Sequence, residues 1–342
     1  MKSEIVTLLT AMGIEARRQG EDRRSGAYLR AATSIARQTD FEALLEGGRL
    51  RDIPGVGESI ERTIRRFVDQ GETPSWLPWP PSTEAVTPDV EIPPSFPRAP
   101  FGDAPDLHCH TTWSDGTLTI DEVVAFARAM GAHAIGISDH SGSLKVARGL
   151  DPDAVRAQWA DIERVQAANP DILILRGTEC DILRDGSLDH PDDLLGEFDY
   201  VIGSVHSHMK LPRREQTERY LTALENPYLT VLGHPTTRML NKRPPADVDL
   251  EAVFEKAAEM GVALEVNGSP RRKDLDAGLA QQALEAGALL SLGSDGHSAH
   301  EMLQIANARR TAQRAGADEE NLVNYRILEE VVARRGLALA YG

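Results

Sequence analysis

The sequence is poor in the features that mark secreted and membrane proteins. It contains only two cysteines, Cys109 and Cys180, in 342 residues, which is too few for a disulfide framework and suits a reducing compartment. No apolar run reaches the length of a membrane span. The N-terminal segment becomes charged too early for a secretory signal. Together these absences predict a cytoplasmic protein that does not associate with a membrane.

An excess of positive charge is also missing. The formal net charge is −16, from 37 Lys and Arg against 53 Asp and Glu. A generally acidic protein does not attract nucleic acid by bulk electrostatics, so any DNA contact has to be local. Residues 1–75 are close to neutral, and the acidic excess lies beyond them. A hydrophobic content of 41% is enough for a packed core.

The distribution of proline divides the chain into three predicted segments. Residues 1–78 carry apolar side chains at helical spacing, which predicts a small all-α domain. Ten of the 20 prolines follow between Pro74 and Pro105. Proline removes N–H donors and disfavours helix in the residue before it, so we expect an extended linker over 79–104. Residues 105–342 form the third segment.

The third segment alternates between short apolar runs and amphipathic helical stretches. Seven runs are strand candidates: 106–110, 134–138, 172–177, 200–205, 230–233, 262–266 and 288–292. This alternation favours an α/β fold, either a parallel barrel or a doubly wound sheet. In a barrel, active sites gather at the C-terminal ends of the strands.

Six of the seven candidate strands end at histidine or carboxylate residues. The first run places His108 and His110 on one face, because side chains alternate along a strand. The other candidates follow later strands or lie in the loop after the first: Asp115, His140, Glu179, His206, His234, Asp295 and His297. So many converging polar groups would be uncompensated on burial unless they bound cations. Mixed nitrogen and oxygen donors suit Zn²⁺, Mn²⁺ or Fe²⁺.

These segments resemble the PHP (polymerase and histidinol phosphatase) superfamily over about residues 105–340. The shared motifs are, in order, His-x-His, Ser-Asp-Gly, Ser-Asp-His, Gly-Thr-Glu, Ser-Val-His, Gly-His-Pro and Ser-Asp-Gly-His. The resemblance implies a distorted (β/α)₇ barrel with three divalent metal ions. It also implies three ligand sets: His108, His110, Glu179 and Asp295; Asp115, His140 and His297; and a set in which Glu179 bridges to His206 and His234.

The resemblance implies hydrolysis of phosphate esters by metal-activated water. Clustered metals lower the pKa of coordinated water and clamp phosphoryl oxygens, so no Ser or Cys nucleophile is needed. Developing negative charge also needs cationic side chains. Arg238 is the first candidate to bind the phosphate, followed by Lys145 and Arg148, and then Arg272. The alternative for each is an exposed basic residue without a role in the site.

A second motif lies in the helical segment. Ile-Pro-Gly-Val-Gly before a helix predicts a helix-hairpin-helix, in which Gly55 and Gly57 let backbone N–H groups approach a DNA phosphate. Arg62, Arg65 and Arg66 follow and could hold further phosphates. Over residues 1–75 the segment resembles the N-terminal domain of family X DNA polymerases. The alternative is a helical packing domain that does not bind DNA.

The PHP segment itself is most similar to the one attached to bacterial family X polymerases, particularly around Asp181-Ile-Leu-Arg-Asp-Gly-Ser-Leu-Asp and Glu225-Asn-Pro-Tyr. We therefore expect a phosphoesterase that processes DNA ends, as a 3′–5′ exonuclease or 3′-phosphatase. One alternative is a small-molecule phosphatase of the histidinol phosphatase kind, with a phosphorylated metabolite as substrate. Another is a non-catalytic DNA-binding protein with a structural metal barrel.

Polymerase and lyase activities are expected to be absent. The proline-rich stretch is too short for a polymerase core, and the palm Gly-Ser and Asp-x-Asp signature is missing. Thr63 occupies the position where lyase-active relatives carry a Schiff-base lysine. When a primed template is incubated with deoxynucleotides and Mn²⁺, the primer should not be extended. Borohydride should trap no covalent adduct between the protein and abasic DNA. Extension of the primer would contradict this prediction.

Overall fold

The computed structural model describes residues 1–79, 91–93, 96 and 100–337. Most of the predicted linker, 79–104, lies outside these residues, so its conformation and the boundaries at 78 and 105 stay predictions.

The backbone contacts divide the chain into two compact units. One contains Met1–Asp89 with Asp153–Gln158, and the other contains Val90–Pro152 with Trp159–Gly342. Each unit is described in turn.

The amino-terminal region of the first unit is all-helical in its described residues, as predicted. Its helices are α1 (Lys2–Arg18), α2 (Asp22–Ala36), α3 (Phe41–Glu46) and α4 (Glu58–Gln70). In α1 the apolar residues recur every three or four positions, so Ile5, Leu8 and Leu9 share one buried face. They belong to one core cluster with Ile35 and Phe41.

Six parallel strands form the sheet of the second unit. They are β1 (Ala134–Ile137), β2 (Leu173–Asp181), β3 (Tyr200–Ser204), β4 (Val231–Leu232), β5 (Ala263–Asn267) and β6 (Leu290–Gly293). Each strand pairs with the next strand along the chain, in the order β1 to β6. This order is that of a (β/α) barrel, in which every connection carries the chain to the adjacent position.

Helices lie before, between and after these strands. They are α5 (Ile120–Ala129), α6 (Pro152–Ala168), α7 (Asp192–Leu195), α8 (Arg213–Leu224), α9 (Leu250–Met260), α10 (Ala277–Glu285), α11 (Ala299–Met302), α12 (Ile305–Arg314) and α13 (Val323–Arg335). Among the described residues, none of the helices combines the length and apolarity needed to cross a membrane.

The remaining predicted strand, 106–110, is first in chain order and is not one of these six. It is an extended segment that hydrogen-bonds to both edges of the sheet. The Asp106 carbonyl accepts from the Gly136 N–H in β1 at 2.8 Å, and the His110 N–H donates to the Gly296 carbonyl beyond β6 at 2.9 Å. The Asp106 carboxylate also accepts from the His108 N–H at 3.1 Å. This hydrogen bond to a side chain occupies the His108 N–H, which competes with regular pairing to a neighbouring strand. The predicted fold class, a distorted (β/α)₇ barrel after a small helical region, is confirmed.

Tyr200 fills the barrel interior between two glycine-bearing strands. A Cβ at Gly136 would lie 2.1 Å from the Tyr200 Oη, and one at Gly177 would lie 2.2 Å from its Cζ. The hydroxyl donates to the Leu107 carbonyl at 2.6 Å. The buried phenol therefore keeps a hydrogen bond, and it ties β3 to the segment that spans the sheet edges.

Asp199 anchors the C-terminal helix to the start of β3. Its side chain is fully buried and pairs with Arg334 and Arg335 of α13, the latter at 2.6 Å. It also accepts from the Arg176 N–H at 2.7 Å. One carboxylate thus joins β2, β3 and α13.

Replacing Asp199 should destabilise the chain. Asp199→Ala leaves the Arg176 N–H without its acceptor and removes the ion pairs with Arg334 and Arg335, so the free energy of unfolding should fall by about 2–3 kcal/mol. Asp171→Ala is the matched control, because its pair with Arg128 leaves the carboxylate 58% exposed. That change should cost below about 1 kcal/mol. Urea denaturation measures both, and equal losses would contradict the anchoring role.

Candidate metal centre

Glu179 lies at the centre of the cluster, and its two carboxylate oxygens face different histidines. The side chain is 1% exposed and lies within β2. Its Oε2 lies near His140 Nδ1 at 2.8 Å, His108 Nε2 at 3.3 Å and His110 Nε2 at 3.5 Å. Its Oε1 lies near His234 Nε2 at 2.8 Å and His206 Nε2 at 3.3 Å. One carboxylate therefore faces five histidines from four segments of the barrel.

Two further carboxylates complete the set on the side of His110. The Asp115 Oδ1 lies 3.3 Å from His297 Nε2 and 3.5 Å from His140 Nε2. The Asp295 Oδ1 lies 3.5 Å from His110 Nε2. The structure thus brings all nine predicted ligand candidates into one connected cluster.

The ligand atoms fall into three groups compact enough to hold a metal ion. They are His110, Asp115, His140 and His297; His108, His110 and Asp295; and His140, Glu179 and His206. Within each group the ligand atoms lie within 4.8 Å of one another. The groups overlap the three predicted ligand sets without matching them. Glu179 is grouped with His140 and His206 and not with His108, and His234 belongs to none of the three groups. The assignment of individual ligands to individual metals stays a prediction.

The donor set fits divalent cations because buried donor atoms have no hydrogen-bond partner. These atoms are His108 Nε2, both ring nitrogens of His110, His140 Nδ1, Glu179 Oε2 and His234 Nδ1. The close approach of His140 Nδ1 to Glu179 Oε2 lacks hydrogen-bond geometry. Leaving so many polar atoms unpaired inside a protein costs about 1–3 kcal/mol each, and a shared cation removes that cost.

Two carboxylates outside the predicted set orient histidines. The Glu265 Oε1 lies 2.5 Å from His108 Nδ1, and the Asp181 Oδ1 lies 2.5 Å from His206 Nδ1. A carboxylate acceptor keeps the proton on Nδ1, so the Nε2 lone pair of each ring points at Glu179. The sequence contained a signal for Glu265, a lone carboxylate inside a buried apolar strand, and the prediction did not use it.

A third such residue, Asp139, positions the loop that carries Asp115. Its buried carboxylate accepts from the Thr111 N–H at 2.8 Å, the Thr111 hydroxyl at 2.6 Å and the Ser114 N–H at 3.1 Å. The Ser114 hydroxyl also donates to it. This network folds the loop back over the histidine pair, which the sequence pattern had suggested only in outline.

The electrostatics of the cluster favour ionised carboxylates and an unprotonated His110. Burial, reinforced by His297 and His140, lowers the pKa of His110 to about 3. Burial would raise the pKa of Glu179, but the surrounding histidines hold it well below its usual value. Against burial, Glu179 and Asp181 raise the pKa of His206 to about 9. Metal binding has to displace such protons, so occupancy will depend on pH.

The candidate phosphate-binding residues differ in their placement. Arg272 Nε donates to Asp295 Oδ2 at 2.8 Å, which brings its guanidinium to the cluster. Arg238 donates to the carbonyls of Arg272, at 3.0 Å, and of Lys273. Lys145 and Arg148 lie in and just after a short 3-10 helix. Of these four candidates, Arg272 is therefore the one that directly contacts a ligand candidate, although the sequence analysis ranked it last.

Residues 53–57, the predicted hairpin, lie directly before α4 in the first unit, and acidic residues accompany the arginines that follow. Gly55 has a φ of +84°, and Gly57 is the residue before α4. Arg62 pairs with Glu58 at 2.7 Å and Arg65 with Glu61 at 3.3 Å. Arg66 is exposed. Because both glutamates lie in the first turn of α4, they reduce the positive potential that a phosphate would meet there.

A parallel (β/α) barrel that gathers imidazoles and carboxylates at its strand ends belongs to the class of metal-dependent hydrolases. The PHP domain family matches residues 106–269. The chain belongs to this family, and it is a hydrolase of phosphate ester bonds.

Individual relatives support this membership. The chain is 38% identical over 229 residues to the DNA polymerase/3′-5′ exonuclease PolX of Bacillus subtilis, covering 67% of this chain and 40% of that protein. It therefore spans less than half of that relative. It is 30% identical over 203 residues to a probable phosphatase of Clostridium acetobutylicum, covering 56% of this chain and 78% of the relative.

A solved structure shows the same fold. It is the histidinol phosphate phosphatase of Lactococcus lactis, complexed with zinc, L-histidinol and phosphate. The TM-score is 0.50 at 20% identity, and the match covers 63% of this chain and 95% of that one.

Replacing Glu179 should have the largest effect on metal content. Glu179→Ala removes both oxygens that face five histidines, so it should abolish hydrolysis and remove more than one metal per chain, without unfolding. His108→Ala should also abolish hydrolysis, with a smaller loss of metal. Elemental analysis and circular dichroism measure these effects. Retained activity in Glu179→Ala would contradict a bridging role.

Proposed function

We propose that the nine clustered side chains bind three divalent metal ions and that the chain hydrolyses phosphate esters at DNA 3′ ends, as an exonuclease or a 3′-phosphatase. The observation that carries the hydrolytic part is the buried Glu179 carboxylate, whose two oxygens face separate groups of histidines. Bound divalent ions would lower the pKa of coordinated water and neutralise phosphoryl oxygens.

The protein groups bind and orient around that chemistry. Most of the centre is buried, but Asp115 is 35% and His297 30% exposed. A phosphate therefore reaches the cluster at this edge. Arg272, held by Asp295, adds a fixed positive charge beside the centre. His108 and His206 keep their orientation through Glu265 and Asp181.

Two observations favour DNA as the substrate. The chain is similar to a bacterial protein whose name includes 3′-5′ exonuclease activity. In the predicted hairpin, Gly57 lies directly before α4 and has open space where a Cβ would lie. Backbone N–H groups at such a helix start can bind a phosphate, and the exposed Arg66 follows on the same helix.

A small phosphomonoester is the second candidate substrate. The ion pairs of Arg62 and Arg65 with glutamates weaken the first unit as a DNA-binding surface. The net charge of −16 opposes polyanion binding in general. Relatives named probable phosphatase align over most of their own length, for example 89% for a Thermoanaerobacter protein.

A panel of phosphate esters distinguishes these candidates. With Mn²⁺, we expect loss of label from 3′-recessed and 3′-phosphate duplexes, and no reaction after treatment with a chelator. Arg66→Glu should raise KM for DNA about 10-fold, roughly 1.4 kcal/mol, and leave KM for a small phosphomonoester unchanged. Arg326→Glu is the matched control, an exposed arginine of α13 in the second unit.

The outcomes separate the two substrates. Hydrolysis of histidinol phosphate with both DNA substrates untouched would exclude the DNA proposal and support the phosphomonoesterase. Equal effects of Arg66→Glu and Arg326→Glu on KM for DNA would exclude the hairpin as the binding surface.

A further inference from the structure

Glu265 is a buried carboxylate whose hydrogen bonds reach two predicted metal ligands. It lies in β5, and its side chain is 1% exposed. Its Oε1 lies 2.5 Å from His108 Nδ1. Its Oε2 accepts from the His234 backbone N–H at 2.7 Å and from Asn267 Nδ2 at 3.1 Å. A single carboxylate thus holds one ligand by its ring and the other by its backbone.

The two ligands lie on opposite sides of the central carboxylate. His108 faces Glu179 Oε2, whereas His234 faces Glu179 Oε1. Glu265 therefore contacts one histidine that faces each of the two Glu179 oxygens. Asp181 serves as a comparison, because His206 is the one predicted ligand whose ring it contacts. The other oxygen of Asp181 accepts from the Ser143 hydroxyl at 2.7 Å.

The barrel leaves space for this contact at one glycine. A Cβ at Gly293 would lie 2.5 Å from Glu265 Oε1 and 2.6 Å from the Cβ of His108. Gly293 ends β6, which pairs with β5. The backbone of Glu265 is also fixed, since its carbonyl accepts from the Leu275 N–H at 3.1 Å. The His108–Glu265 contact is therefore built into the packing of two strands.

We propose that Glu265 is a positioning residue that sets the orientation of His108 and the place of His234, and so controls metal binding on both sides of Glu179. This inference rests on the proposed metal centre. Because its side chain is 1% exposed, Glu265 is assigned a positioning role and no catalytic step. Its role is to accept the His108 ring N–H with Oε1 and the His234 backbone N–H with Oε2, and only a carboxylate offers acceptors at both positions.

Glutamine tests this role because it has nearly the same shape. Glu265→Gln has one oxygen and one NH₂ group. If the oxygen faces His108, the NH₂ opposes the His234 N–H. If the oxygen faces His234, the NH₂ donates to His108 Nδ1 and drives the proton to Nε2, where the metal should bind. In both orientations a ligand is misplaced.

The experiment compares metal binding in wild type, Glu265→Gln, Gly293→Ala and Asp181→Asn. Chelator competition with Zn²⁺ should show affinities weakened about 10–100-fold at two sites in Glu265→Gln and Gly293→Ala, and at one site in Asp181→Asn. The visible spectrum of the Co²⁺-loaded protein should change in the same pattern. Circular dichroism and urea unfolding should show that the variants remain folded.

The outcomes separate this inference from the proposed function. Wild type without tightly bound divalent metal would overturn the proposed metal centre. A second outcome is that wild type binds metals and that Glu265→Gln and Gly293→Ala bind them with the affinity of wild type, or lose affinity at one site only, as Asp181→Asn does. That outcome would overturn the role of Glu265 and leave the metal centre standing. Loss of folding in both Glu265→Gln and Gly293→Ala would also overturn it, because Glu265 would then stabilise the barrel and not the ligands.

Discussion

The burial of the Glu179 carboxylate among five imidazoles is the constraint on which the rest of the centre depends. Five carboxylates contact the imidazoles of the cluster: Asp115, Glu179, Asp181, Glu265 and Asp295. Arg272 adds one positive charge to the cluster through its pair with Asp295. Ionised groups at this depth are costly unless opposite charge is close, and divalent cations supply it without further side chains. Bound divalent cations would therefore both offset the local excess of negative charge and coordinate the unpaired ring nitrogens.

The barrel stabilises such a cluster because hydrogen bonds from residues outside the ligand set hold several of the ligands in place. Asp139 folds the loop of Asp115, Asp181 orients His206, and Glu265 orients His108. Glycines at the strand ends leave the space for these contacts, as at Gly293. Since a metal ligand displaced by a fraction of an ångström binds poorly, the surrounding carboxylates matter nearly as much as the ligands.

In the proposed function, the helical unit contributes to substrate binding and the metal centre to the chemistry. The predicted hairpin ends at Gly57, directly before α4, and Glu58 and Glu61 pair with two of the three arginines that follow. Exposed ion pairs of this kind are weak and sensitive to salt, so a DNA phosphate can compete for the same arginines. Whether DNA or a small phosphomonoester is the substrate therefore depends on a balance of surface charges.

The sequence by itself determined the α/β class and the ligand candidates, and the resemblance to the PHP superfamily implied the barrel. Strand periodicity placed His108 and His110 on one face, and the carboxyl ends of parallel strands meet at one edge, so residues such as His140 and His234 could be expected to converge. Only the tertiary structure decided which atoms meet. The contact of Glu265 with His108 joins residues 157 positions apart, and the rank of Arg272 over Arg238 follows from its contact with Asp295. Local sequence patterns carry no information on side-chain pairing across strands, because that pairing depends on how the whole barrel closes.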